Sequence, residues 1–414
     1  MKRILAPFLG FLVAFPAHAQ DIRGHGGPVG ALAMSGTQVL SGSFDTRAIL
    51  WDAQDAAARK ITRVHSGNVT AVAFLPQGGF VTAGQDGRIA VWDGHSPDPR
   101  LLTDEGLSAI AALAVSPDGA QLAAGFWDGR IARMDVQSGA LEFFDAHAGR
   151  VTGLAILPDG ALASTGHDLR LSIWGPDLNL QERTDLPDLP NGMAISEDRL
   201  AVIFAEGALR LFDRTGALLP ERFLTDRPLV ALAAHGADVA AAAIDGTVWV
   251  LEGQALRQRA SFRAVTGPVW SLALDDQTIL AGGADGTIRR FASADGTALG
   301  GTEQTDLTAL ADTSHGAQVW RACAVCHSLE PDDLSRAGPS LHGIFGRPIA
   351  TAEGYDYSPD LRALSIIWTP QTVAELFEFG PEAYTPGSRM PEQRVTDPED
   401  RAALIDYLQR HAMQ

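Results

Sequence analysis

From residue 29 to about residue 292 the apolar positions fall in short alternating runs between Gly/Asp turns, the period of β-strands. A small-aliphatic-Ala phrase recurs seven times, ending at Ala33, Ala73, Ala114, Ala155, Ala194, Ala233 and Ala273, at intervals of 39 to 41 residues. A second phrase follows each, from "DTRAILWD" at Asp45 to "DGTIRRFA" at Asp285, at intervals of 38 to 42 residues. Seven units of about 40 residues built this way predict a radial array of four-stranded sheets. After Phe291 the phrase stops. "DTSHGAQVWRACAVCHSL" and "TDPEDRAALIDYLQRH" read as helices, the second with Asp397 as N-cap and Pro398 at its first helical position. The connections between them are rich in Gly and Pro. The last ~100 residues thus predict a small α domain short of apolar core, which a buried prosthetic group would complete.

Three units carry a fuller signature: His25, Ser41, Asp45 and Trp51; His65, Thr82, Asp86 and Trp92; His147, Ser164, Asp168 and Trp174. With the repeat itself, these residues resemble the WD-repeat family over roughly residues 22 to 305. The resemblance implies a seven-bladed β-propeller. It also implies that each set is a hydrogen-bonded relay from a loop histidine through the turn aspartate to a hydroxyl and the indole N–H, a fold-stabilising device and not a catalytic one. The other four units have Met134, Phe212, Leu251 and Phe291 in the Trp position, and His95, His167 and His235 are expected to be solvated loop residues. The inner strands consist mostly of Ala, Leu, Val and Ile, without the converging His, Arg or Asp of a cofactor site. Two segments compete to close the ring: Asp21 to Arg23, or "GTALGGTEQ" from Gly296.

The chain has two cysteines, both in "CAVCH". This fits the haem attachment pattern C-x-x-C-H, in which Cys323 and Cys326 add to the vinyl groups as thioethers and the adjacent His327 reaches the iron. A redox dithiol would want a thioredoxin-like strand before it, and a zinc site would want further cysteines. Together with "GPSL" and "YTPGSRMP", residues 315 to 411 resemble the class I cytochrome c family, close to the mitochondrial and photosynthetic-bacterial type. The resemblance implies one covalently attached haem c with His327 and Met390 as iron ligands. It places the Pro339 carbonyl where it orients the proximal imidazole, and Arg347, Tyr357 and Trp368 at the haem propionates. Gly316 and Trp320 match the glycine and aromatic of the family's first helix, which crosses the last helix near Leu404 and Tyr407; His342 is peripheral. Phe377 stands thirteen residues before Met390, where the family often has tyrosine, so an altered potential or a looser Met390–iron bond is expected.

Composition adds location and partners. Lys2 and Arg3 precede an apolar run from Ile4 to Pro16, and Ala17-His18-Ala19 supplies small residues, the pattern of a secretory signal peptide cleaved after about Ala19. The run is shorter than the ~20 residues that cross a bilayer, and no later stretch is long and apolar enough, so no transmembrane segment is expected. The formal charge is −18, and losing Lys2 and Arg3 with the leader makes it −20, which argues against nucleic acid as a partner. Residues 315 to 414 hold eight Arg, no Lys and fourteen Asp plus Glu, a net −6; a partner chosen for a lysine-rich face is not expected here.

The expected organisation is multidomain: signal peptide 1–19, all-β seven-bladed propeller 20–305, linker 306–314, and a small all-α class I cytochrome c domain 315–414. The expected function is periplasmic electron transfer, with another redox protein docked through the propeller and the haem edge. With both axial positions filled, the iron offers no open site, which favours a carrier over an enzyme. Two alternatives stand beside this: an oxidoreductase whose propeller binds a substrate or second cofactor, and a haem-based redox sensor.

Overall fold

The computed structural model describes residues 20–300 and 314–412, apart from residues 95, 105–107, 254, 325–326, 332–337, 356, 387, 389, 391–394 and 396. The leader 1–19, His95, Cys326 and nearly all of the linker therefore lie outside the described residues.

Seven four-stranded antiparallel sheets follow one another along the chain, each inner strand packing on those of its two neighbours so that the ring closes. Blade one is Val29–Ser35, Gln38–Ser43, Ala48–Asp52 and Ala58–Thr62. Every inner strand shifts register after its first residue, as between Val29 and Ala31 in blade one and between Val269 and Ser271 in blade seven. Such bulges tighten the local twist where seven strands crowd one axis. Blade seven (Val269–Leu274, Thr278–Gly283, Thr287–Ala292) takes its outer strand from the start of the chain, with Ile22 opposite Ile288 and Arg23 opposite Thr287. Farther along the same edge Phe291 bridges Ala298, and the Leu299 N–H donates to the Arg290 carbonyl at 2.9 Å. Both competing segments are therefore used, each on its own stretch of one edge.

Three blades contain the complete relay. In blade one, His25 Nδ1 meets the Asp45 carboxylate at 3.0 Å, Nε2 meets Ser41 Oγ at 2.7 Å, and Trp51 Nε1–H donates to that same oxygen at 2.7 Å. Blades two and four repeat this through Thr82 and Ser164. In the other four blades the hydroxyl position is Ala124, Val202, Ala241 or Ala281, and the indole position is Met134, Phe212, Leu251 or Phe291, all buried. Donor and acceptor vanish together, which leaves no orphaned polar group and explains why those blades tolerate the loss. His167 and His235 are both exposed; His235 ends an inner strand rather than lying in a loop, and pairs with Asp276 at 3.2 Å.

The C-terminal part contains α1 (His315–Ala324), α2 (Pro359–Arg362), α3 (Pro370–Phe379), α4 (Pro381–Tyr384) and α5 (Pro398–His411). α5 starts as expected: the Asp397 side chain accepts from the N–H groups of Glu399 and Asp400, with Pro398 next. α3 falls among the Gly/Pro-rich connections, to which the sequence pattern assigns no helix. Thr369 and Thr372 cap it reciprocally, and Pro370 at its first turn starts the helix instead of breaking it. α1 crosses α5 at Gly316, where a Cβ would lie 2.2 Å from the Ala403 carbonyl oxygen, so only glycine allows that approach. Trp320 and Tyr407 stack beside the crossing at 6.2 Å, over a fully buried Leu404.

Candidate functional site

The site begins at the last turn of α1. Cys323 is buried there, and the His327 N–H donates to the Cys323 carbonyl at 2.9 Å, one helical step further on. That step keeps residues 323 and 327 on one side of the chain. Cys326 lies outside the described residues. His327 Nδ1 donates to the Pro339 carbonyl at 2.9 Å, which fixes the tautomer and leaves Nε2 as the nitrogen able to bind a metal. Burial pushes the His327 imidazole below its usual 6.5, the Arg347 charge acts in the same direction, and the bond to Pro339 opposes them. The ring is thus held neutral, the form a metal requires.

Met390 is partly buried against the same apolar cluster as Trp320 and Cys323. Its N–H donates to Ser388 Oγ at 3.1 Å, and the Ser388 N–H donates to the Thr385 carbonyl at 3.0 Å. The Thr385 hydroxyl in turn donates to the Pro381 carbonyl at 3.0 Å, so the turn before Met390 is tied to α4.

A cavity of about 500 Å3 unites these parts: Cys323, His327, Pro339, Met390, Arg347, Tyr357 and Trp368 all line it. Arg347 donates to the carbonyls of His342 at 3.0 Å and Ser340 at 2.8 Å, and burial lowers its pKa from the ordinary guanidinium value. Burial likewise raises the Tyr357 hydroxyl above 10.0. The Trp368 N–H donates to the Arg347 carbonyl at 2.9 Å, and the Gly346 N–H to the Trp368 carbonyl at 2.7 Å, which fastens two of the three residues to each other. Of the apolar wall of Leu341, Ile344, Val373, Leu376, Phe377 and Leu408, Phe377 was anticipated beside Met390 and the others were not. The spacing of Val373, Leu376 and Phe377 at i, i+3 and i+4 on α3 was the available signal.

A large apolar cleft, a helix-borne cysteine, an imidazole with its far nitrogen engaged and a thioether suit a flat, apolar, iron-bearing ring. Fold and site thus define a propeller joined to a small c-type haem domain. The comparisons agree. The family model described as cytochrome c matches residues 313–412, and that described as WD domain, G-beta repeat, matches residues 17–52, 59–93, 100–132 and 139–175. Cytochrome c of Ginkgo biloba is 34% identical over 104 residues, 25% of this chain and 91% of that protein. Cytochrome c2 of Blastochloris viridis is 36% identical over 99 residues, 24% of this chain and 77% of that protein. The solved structure of the computationally designed Ika8 protein aligns with a TM-score of 0.54 at 20% identity, covering 67% of this chain and 99% of its own, a likeness of fold alone. The chain belongs to the cytochrome c family, with a WD-repeat seven-bladed propeller fused ahead of its haem domain, and its cofactor is covalently attached haem c. No helix among the described residues is long and apolar enough to cross a membrane.

Proposed function

We propose that this protein is a periplasmic electron carrier whose propeller docks a redox partner. Export rests on the leader pattern of residues 1–19, and the domain limits on the change of pattern after Phe291 and on "DTSHGAQVW" at the start of the haem domain. Cys323 and Cys326 would hold the haem through thioethers, and His327 and Met390 would occupy the two axial positions. Bound haem c supplies one-electron exchange between ferrous and ferric iron. The chain keeps the ligands in place: the Pro339 carbonyl orients His327, the Ser388 and Thr385 hydrogen bonds position the segment that bears Met390, and the walls from α3 and α5 exclude water. Arg347, Tyr357 and Trp368 would offer donors to the propionates.

The observation that carries this reading is the His327–Pro339 bond within the cavity that Met390 also lines. The visible spectrum of the holoprotein in both oxidation states, with and without carbon monoxide or peroxide, tests it. A low-spin haem c that ignores both ligands is expected. Rapid binding of carbon monoxide or turnover of peroxide would remove Met390 from the iron and defeat the carrier assignment.

A further inference from the structure

The cavity that holds the haem residues has a second wall, contributed by the propeller. Phe44, Arg47 and Arg63 from blade one and its exit loop, with Trp270 and Ala284 from blade seven, line the same volume as His327 and Met390. Phe44 and Trp270 face each other at 6.4 Å with their planes 32° apart. Phe44 sits over the bulge residue Gly30, where a Cβ would come within 2.9 Å of its ring, and Trp270 is itself the bulge residue of blade seven. The turn after the second strand of blade one and the inner strand of blade seven thus present one aromatic plate. Arg47 and Arg63 flank it, and neither has a side-chain hydrogen bond or ion pair among the described residues.

The other ionisable groups on this wall are spent. Asp45 accepts from the His25 ring and from the N–H groups of Gly26 and Arg47, and His65 is held between Asp86 and Thr82. The face is therefore apolar at its centre and cationic at its rim. A haem edge is apolar with carboxylates at its margin, and residues 315–414 carry a net −6.

We propose that this face of blades one and seven is the docking surface for the chain's own haem crevice, with Arg47 and Arg63 adding positive charge beside the haem. The proposal rests on the haem reading above but goes beyond it. The tethered haem is covered by its propeller, and an external partner must either displace that contact or receive electrons through it. Tethering raises the local concentration of such a weak contact to about millimolar, enough to populate it without a large interface.

The full-length holoprotein with R47E/R63E tests this by potentiometric titration at low and high ionic strength. Positive charge near the iron favours the ferrous form, so reversing both charges should shift the ferrous-to-ferric ratio several-fold toward ferric at a fixed solution potential. High salt should shrink the shift. R214E/R257E makes the same charge change on residues at the hairpins between third and outer strands, the opposite end of the blades, and should leave the ratio nearly unchanged. R47Q/R63Q, a gentler change to two partly or fully exposed side chains, should move the ratio in the same direction by a smaller factor. Equal potentials for the R47E/R63E and R214E/R257E proteins, with normal haem spectra in both, overturn the docking and leave the carrier assignment standing. An abnormal haem spectrum in the unmodified protein strikes instead at the haem reading.

Discussion

Ser164 gives the sharpest stability prediction for the propeller. It is fully buried, and its Oγ lies 2.8 Å from His147 Nε2 and 2.9 Å from Trp174 Nε1. His147 Nδ1 is 2.8 Å from the Asp168 carboxylate, so the proton sits on Nδ1, Nε2 accepts from the serine hydroxyl, and the serine oxygen accepts from the indole. Ser164→Ala orphans an indole donor and a ring acceptor at once. Each buried unsatisfied group costs roughly 1–3 kcal/mol, and neither ring can turn to water, so about 2–4 kcal/mol should be lost. Ser172→Ala is the matched control. Ser172 is equally buried in the same blade but accepts only from Arg183 Nε, at 3.0 Å, and that longer side chain can re-aim, so under about 1 kcal/mol is expected. Urea unfolding followed by far-UV circular dichroism reads the propeller, while the haem absorbance shows separately that the second domain is intact. If Ser164→Ala costs no more than Ser172→Ala, the relay does not stabilise the blade in the way argued.

Acid should weaken the relay blades in two stages. Burial pushes the His147 imidazole below 6.5 against the opposing pull of Asp168, so the unfolded chain takes up its proton first and stability falls as the pH drops below about 6.5. Burial alone would raise the Asp45 and Asp86 carboxyls, but His25 and His65 with neighbouring N–H groups hold them below 3.8; their contribution is present above that value and is lost beneath it, and a melting temperature flat from pH 7.5 to 3 would refute both stages. Gly316→Ala sets a Cβ against the Ala403 backbone oxygen and should cost the haem domain about 1–3 kcal/mol, read as its thermal transition by visible absorbance; an unchanged transition would show that the helices can separate freely. With Met390 as the proposed axial ligand, Phe377→Tyr adds a hydroxyl to the wall that Met390 shares and should shift the midpoint potential and slow the displacement of that ligand by added imidazole; no change in either would place Phe377 away from the sulfur.

The repeat made most of the propeller legible because each blade restates its turns and inner strand at a fixed interval, so single departures such as Met134 did not hide the unit. Ring closure was ambiguous for a physical reason. The edge of the Thr287–Ala292 strand has room for two short partners, and the phrases of Ile22–Arg23 and of Ala298 carry equally weak strand signals. In the haem domain, chemistry was easier to read than architecture. His327 and Pro339 announced themselves by motif, and their hydrogen bond is present. α3 was missed because Pro370 and Pro381 look like breakers in a string, whereas each stands at a helix start. The propeller wall of the cavity could not be read at all: residues 44 and 270 are separated by almost the whole ring and meet only when blade seven closes on blade one.

The two parts solve the problem of a stable core by opposite means. The propeller fills its interior with its own side chains, and the relay blades pair the hydroxyls they bury at Ser41, Thr82 and Ser164. The haem domain surrounds a cleft with its best apolar residues and leaves about 500 Å3 between them, part of it at the propeller wall. A domain of about 100 residues has only about 5–15 kcal/mol of stability in total, and its apolar side chains from α3 and α5 face this cleft, so an apolar ring seated there adds buried contact area that the chain alone does not supply. Covalently attached haem c cannot dissociate when the domain breathes. The interior of the propeller is filled by its own buried side chains, which suits it to be the rigid member of the pair in the docking proposed above.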